Sequence, residues 1–158
     1  MPSQVVIECC DAIKSRELTI AFAESATAGR MSAEFCMSPA SGQILKGGLV
    51  CYDATLKVDI LKIPKSFIEE HTPESAEVTE ELARRLGGLI PSDIQVGVTG
   101  LTTPGGSESE TKPVGSIFLH ICMPGKSIPV FRVFEGEPEQ IVLQAIDLAA
   151  QTILEELK

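Results

Sequence analysis

The apolar positions of the chain follow two rhythms that alternate along its first two thirds. Between Ser3 and Ile13 they fall at Val5, Val6, Cys9, Cys10 and Ile13, spaced for one face of a helix, with Ser3 as its N-cap. Leu18 to Phe22 is an apolar run of the kind found in strands buried on both faces. Helical spacing returns from Thr27 to Met37 and stops at the turn cluster Ser38-Pro39-Ala40-Ser41-Gly42. Ile44 to Tyr52 is strand-like, and Gly47-Gly48 inside it marks a bulge or a close backbone approach. Ala54 to Leu61 predicts a short helix that Ile63-Pro64 breaks, and Lys65 to Glu70 a helical turn. Thr72-Pro73-Glu74-Ser75 opens a helix running from Ala76 through Leu86, its stripe Val78, Leu82, Leu86 and Leu89 opposed to Glu77, Glu80, Glu81, Arg84 and Arg85.

The last third changes character. Asp93 to Thr99 alternates through Ile94, Val96 and Val98 and reads as a strand; a loop rich in Gly, Ser, Thr and Pro follows from Gly100 to Pro113. Gly115–Cys122 and Ile128–Phe134 flank the turn Pro124-Gly125-Lys126 and predict an antiparallel hairpin, and Glu139 to Leu157 predicts a closing helix. This order specifies an α/β fold: a three-layer α/β/α sandwich on a mixed, mostly parallel sheet with a C-terminal antiparallel hairpin, in one domain over residues 1–158.

Composition narrows the function classes. Aromatic residues make up 4% and there is no Trp, so the core is aliphatic. A net charge of −9 argues against nucleic acid held on a general basic surface, while leaving room for a small anionic ligand held by a local nest of backbone amides. The five cysteines (Cys9, Cys10, Cys36, Cys51 and Cys122) are odd in number, lie in apolar runs and lack zinc or redox spacing; the expectation is small buried hydrophobes. No signal peptide and no bilayer-spanning apolar run is read, so the default expectation is a cytoplasmic protein without a membrane partner.

Ligands of open α/β sheets gather beyond the carboxyl ends of the strands. Three such segments carry polar or flexible residues: Ala23-Glu24-Ser25-Ala26-Thr27-Ala28-Gly29-Arg30, Tyr52 to Lys57, and Thr99 to Gly106. Each alone has an ordinary explanation. Ser or Thr is a favoured helix cap, with Thr27 the better placed; Lys57 could be solvated; glycine-rich loops connect. Together they assemble hydroxyls, amides and one amine. A serine nucleophile needs a base, and His71 and His120 are poorly placed, one in a connection and one inside a strand. A buried neutral lysine serves instead, which makes Ser25 and Lys57 a candidate pair for acyl transfer, with Thr99 or backbone amides near the oxyanion. No metal-ligand spacing is present; a carboxylate pair from Glu24 and Asp53 is conceivable but unsupported.

Four ordered motifs then carry a resemblance: Ala23 to Gly29; Gly47-Gly48-Leu49-Val50-Cys51-Tyr52 leading to Lys57; Thr99-Gly100 through Pro104-Gly105-Gly106; and Lys112-Pro113-Val114-Gly115. From about Val5 to Leu157 the chain resembles the C-terminal domain family of CinA, the competence/damage-inducible protein, whose stand-alone members include nicotinamide mononucleotide deamidases. The resemblance implies an amidohydrolase that needs neither metal nor cofactor, releases ammonia and nicotinate mononucleotide from nicotinamide mononucleotide in NAD recycling, and assembles as a homodimer or higher homo-oligomer. It places the nucleophile on Ser25, the base on Lys57, supporting roles on Tyr52 and Thr99, and substrate binding on Glu24, Thr27, Gly29, Thr102, Gly105 and Gly106. The chain departs from the family pattern at Ala26 and Ala28, where Cys and Gly are usual, and at Asp53-Ala54, where Ser-Asn is usual. Gly136-Glu137-Pro138 stands where Gly-Asp-Arg is usual, so an active-site arginine is missing; Arg30, Lys46, Lys112 and Arg132 are the available substitutes. Besides the deamidase, two readings stay open: a hydrolase of another amide, and a non-catalytic binding or interaction module.

Overall fold

In the computed structural model, which describes all 158 residues, helix α1 (Gln4–Ser15) starts as its sequence predicts, Ser3 Oγ accepting the Val6 amide. The chain leaves α1 through Glu17, at φ 56°, and the Leu18 amide closes back on Ile13 O. This closure delays strand β1 to Ile20–Glu24, two residues later than the apolar run predicts, and carries the strand through Glu24. Helix α2 (Arg30–Cys36) likewise begins three residues after Thr27, because residues 25–29 form a turn with Ala28 and Gly29 both at positive φ. The extra one-turn helix α3 (Ser41–Ile44) occupies part of the predicted turn cluster.

Strands β2 (Leu45–Val50), β3 (Ile94–Gly100), β4 (Ser116–Met123) and β5 (Lys126–Val133) complete a sheet of order β2-β1-β3-β4-β5. β1 pairs in parallel with β2 and β3, while β3–β4 and β4–β5 are antiparallel. Only β4 runs against the other four strands, so the sheet is mixed with mostly parallel directions. The bulge predicted at Gly47-Gly48 is present: Ile20 faces Leu45 and Ala21 faces Gly47, leaving Lys46 unpaired. Gly48 is also a close approach, since a Cβ there would lie 2.3 Å from Ser32 Oγ of α2.

β1 sorts the core by alternation. Ile20 and Phe22 face the layer formed by α1, α2 and α7 (Pro138–Glu156), where the Phe22 and Phe35 rings sit 4.8 Å apart. Ala21 and Ala23 face the opposite layer, made by α4 (Ala54–Asp59), α5 (Lys65–His71) and α6 (Ala76–Leu89), with Val78, Leu82, Leu86, Leu61, Ile63 and Ile68. Small residues on that face let α6 lie directly on the sheet: a Cβ on Gly97 would come 2.7 Å from Thr79 O. Close packing brings the N-terminal end of α6 to the carboxyl ends of β1 and β3. At its other end α6 runs through Gly87-Gly88 to Leu89, beyond its predicted limit.

α7 begins with a capping box between Glu137 and Gln140 and has Pro138 in its first turn. All five cysteines are free; Cys9, Cys10 and Cys51 are buried and Cys122 is half-buried, but Cys36 is exposed at the end of α2, outside the core-facing stripe that the sequence implied for it. No helix is long and apolar enough to cross a membrane.

Candidate active site

The turn after β1 is built around a buried carboxylate. Glu24 is fully buried, and its Oε1 accepts the Thr27 hydroxyl (2.5 Å) and the Met31 amide (2.8 Å). Its Oε2 accepts the Ser32 amide (2.9 Å) and the Ser32 hydroxyl (2.6 Å). Two first-turn amides of α2 are thereby satisfied, and the carboxylate sits where the helix dipole favours negative charge. The cap expected from Thr27 is therefore supplied by Glu24, and the Thr27 hydroxyl donates to that same carboxylate. Gly29, at φ 95°, occupies the N-cap position without a side-chain bond. Ala28 adopts φ 46°, a conformation that L residues enter at a cost of about 1 kcal/mol.

Ser25 follows immediately, its amide bound to Val98 O (3.0 Å), which fixes it between the ends of β1 and β3. The Cys51 amide donates to Glu24 O (2.8 Å) and joins the end of β2 to the same point. Asp53 caps α4 by accepting the Thr55 amide and hydroxyl, and these bonds hold its carboxyl below the ordinary value. That short helix turns Lys57 inward. Lys57 is 1% exposed, its Nζ lying 3.2 Å from Ser25 Oγ and donating to Cys51 O (3.0 Å). Burial pushes its pKa below the ordinary lysine value, with Cys51, Glu74 and Asp53 pulling partly back. A buried amine of lowered pKa with its nitrogen at a serine hydroxyl is the arrangement a Ser–Lys pair needs.

A cavity of about 260 Å³ opens above the pair, lined by Ser25, Ala26, Tyr52, Glu74 and the loop from Gly100 to Gly106. The structure thus brings Ser25, Tyr52, Thr102, Gly105 and Gly106 to one cavity, with Lys57 behind Ser25. Tyr52 is at the rim and 63% exposed. Glu24, Thr27, Gly29 and Thr99 do not line it. Thr99 is fully buried alongside, its hydroxyl 2.8 Å from that of Thr79, which in turn donates to Ser75 O. The amides of Ala26 and Thr27 have no partner within the protein, unlike those of Ser25, Ala28 and Arg30. His71 packs against Phe67 and His120 bonds Ser127, so neither serves Ser25.

None of the four basic substitutes reaches the cavity. Arg30 pairs with Glu34 and Glu139, Lys46 is exposed in the bulge, and Arg132 donates to Phe131 O. Lys112 donates to Thr72 Oγ1 and Glu74 O, both at 2.7 Å, strapping the glycine-rich loop to the α5–α6 connection. Gly136, Glu137 and Pro138 shape the start of α7 and also stay out of the lining.

Sequence reasoning missed Glu74, reading it only as part of a helix start. The signal was available in the topology: α6 runs back along β3, so residues preceding α6 arrive at the carboxyl end of β3. Ser107 Oγ donates to Glu74 Oε2 (2.5 Å). Ser107 also lines a larger neighbouring groove of about 490 Å³ between α4 and α5, so this bond holds the wall that the two spaces share. No group of three His, Cys, Asp or Glu side chains gathers closely enough to hold a metal ion.

Fold and site together define an α/β protein with a buried serine–lysine pair at the carboxyl edge of a five-stranded mixed sheet. The family described as CinA C-terminal domain matches residues 3–157, and the chain belongs to it. A CinA-like protein of Desulfotalea psychrophila is 33% identical over 148 residues, which is 93% of this chain and 34% of that protein. One from Prochlorococcus marinus is 30% identical over 134 residues, covering 84% and 31%. The chain thus spans about a third of the length of these curated relatives. Among solved structures, the competence damage-inducible protein A of Klebsiella pneumoniae superposes with a TM-score of 0.91 at 23% identity over 98% of this chain and 95% of that one. CihA of Agrobacterium tumefaciens gives 0.88 at 23% identity over 99% and 98%, so the fold is shared while most side chains differ.

Proposed function

We propose that the chain is an amidohydrolase that uses Ser25 as nucleophile and Lys57 as general base on the carboxamide of nicotinamide mononucleotide or a related pyridine amide. The observation that carries this reading is the buried Lys57 Nζ, 3.2 Å from Ser25 Oγ at the floor of the cavity. In the neutral amine the lone pair takes the Ser25 proton as Oγ attacks the amide carbon. The unpartnered amides of Ala26 and Thr27 are the candidate donors to the oxyanion. Collapse of the tetrahedral intermediate breaks the C–N bond. The proton held by Lys57 passes to the leaving nitrogen, and ammonia departs from an acyl-serine. Water, deprotonated by Lys57, then attacks the ester carbon; as the acyl–Oγ bond breaks, Lys57 returns the proton to Ser25 Oγ and the carboxylic acid leaves.

Within this reading Tyr52 covers the cavity mouth, and Thr99 acts through Thr79 and Ser75 to fix the α6 end of the site. Glu24, Thr27 and Gly29 hold the nucleophile turn in shape. Ammonia release from nicotinamide mononucleotide and its nucleoside tests the reading: the wild type releases it, and Ser25→Ala and Lys57→Ala each lose it by ~10³-fold or more. The homodimer or higher homo-oligomer implied by the resemblance belongs to the same proposal; light scattering on the purified chain should give at least twice the monomer mass, and a monomer would refute it.

A further inference from the structure

The side chains that line the cavity are electrostatically one-sided. Of the eleven residues lining the cavity, Glu74 is the only one with a charged side chain. Its carboxylate is held in place by the Ser107 hydroxyl, and its backbone carbonyl accepts Lys112 Nζ, so it is fixed rather than free to swing away. Lys57, whose Nζ lies 3.2 Å from Ser25 Oγ, is buried behind that serine and does not line the cavity, and burial lowers its pKa. The Gly105 amide, the kind of donor a loop offers to an anionic ligand, already accepts a ligand from within the chain: it donates to Glu108 Oε2 (3.0 Å) and Oε1 (3.3 Å). The cavity therefore presents one fixed carboxylate, a loop amide occupied by a second, and no guanidinium or ammonium at its surface.

We propose that Glu74 is a specificity-determining residue that makes this cavity select cationic or neutral amides over anionic ones, favouring the nucleoside form of a pyridinium amide over its 5′-phosphate. The inference rests on the amidohydrolase reading above and narrows its substrate class. A pyridinium ring placed with its carboxamide at Ser25 brings its positive charge into the field of Glu74. A phosphate on the same molecule meets that carboxylate without a basic side chain to neutralise it. Discrimination arises from repulsion of the wrong ligand as much as from attraction of the right one. Ser107 positions Glu74, and Glu108 competes with any anion for the loop.

The test compares nicotinamide riboside with nicotinamide mononucleotide, a pair that differs only by the phosphate. Ammonia release is measured with wild type, Glu74→Gln and Glu108→Gln, and binding of both ligands to Ser25→Ala is measured by calorimetry at low and high salt. The wild type is expected to show higher kcat/KM on the riboside. Glu74→Gln should shift the riboside-to-nucleotide ratio toward the nucleotide by ~10-fold, mainly through KM. Glu108→Gln should move the ratio the same way by less. Ser25→Ala should bind the riboside more tightly, with the gap narrowing as salt rises. A wild type that prefers the nucleotide, or a ratio unmoved by Glu74→Gln, overturns the inference and leaves the amidohydrolase reading intact. Absent turnover with the riboside still bound more tightly removes the amidohydrolase reading and leaves the charge selection standing. If neither ligand is turned over or bound, both are overturned.

Discussion

At the scale of single residues, the site depends on two buried ionisable groups with opposite roles. Glu24 is a structural charge: four donors from the turn and α2 converge on its carboxylate. Replacing it with Gln would put an amide donor against amides that already need an acceptor. Glu24→Gln should cost about 3 kcal/mol, seen as a fall of roughly 6–12 °C in Tm; an unchanged Tm would refute its role as the cap of this turn. Lys57 is the group on which the proposed chemistry turns, an amine buried where an apolar side chain would be expected. That Lys57 and Ser25 would stand together was legible because the motifs that carry them are specific, and their side chains meet at 3.2 Å. The role of Glu24 was not, because four hydrogen bonds that consume a carboxylate leave no mark on the local sequence. The same holds for Thr27, which looked like a cap and is instead a donor to the true one. Ala28 was flagged as an awkward substitute for glycine, and the structure places it at positive φ.

Elements were easier to read than their ends. The seven helices and five strands include every predicted segment, since periodicity is set by burial over many residues. The starts of β1 and α2 moved because each depends on backbone turns at Glu17 and at Ala28-Gly29 that few side chains announce. Gly97 shows how an element interface positions chemistry. It lets α6 approach β3 so that Thr79 meets Thr99, and it brings Glu74 to the cavity. Gly97→Ala would place a methyl group 2.7 Å from Thr79 O and 3.0 Å from the Ala83 amide nitrogen. The expected result is a loss of about 1–3 kcal/mol in urea unfolding, together with lower activity, because α6 must shift away from the sheet. Wild-type stability in this variant would mean that the helix is not set by the contact.

For the whole molecule, the buried lysine makes stability depend on pH, and with it the proposed activity. Lys57 has a lower pKa folded than in the unfolded chain, where the value is near 10.5. Between the depressed value and 10.5 the unfolded state binds more protons, so this residue makes stability rise with pH across that window. Below the window its contribution is a constant deficit. Lys57→Met should remove that part of the slope, so the difference in unfolding free energy between the two proteins changes through the window and levels off on either side. Under the proposed mechanism kcat/KM should climb with pH as the Lys57 amine loses its proton, with a midpoint below that of a free lysine. The sheet order could be anticipated only in outline, since the sequence predicted a mixed sheet and a hairpin but not that β1 lies between β2 and β3. That order is what gathers Ser25, Tyr52 and the loop after β3 around one opening.

In the proposed mechanism Ser25 and Lys57 act as one catalytic unit. Ammonia release from nicotinamide riboside and nicotinamide mononucleotide, measured side by side for wild type, Ser25→Ala, Lys57→Ala and the double variant, tests it most directly. The wild type should release ammonia, each single variant should lose ~10³-fold or more, and the double variant should lose little further. Activity that survives in either single variant, or a wild type that releases no ammonia from either compound, would contradict it.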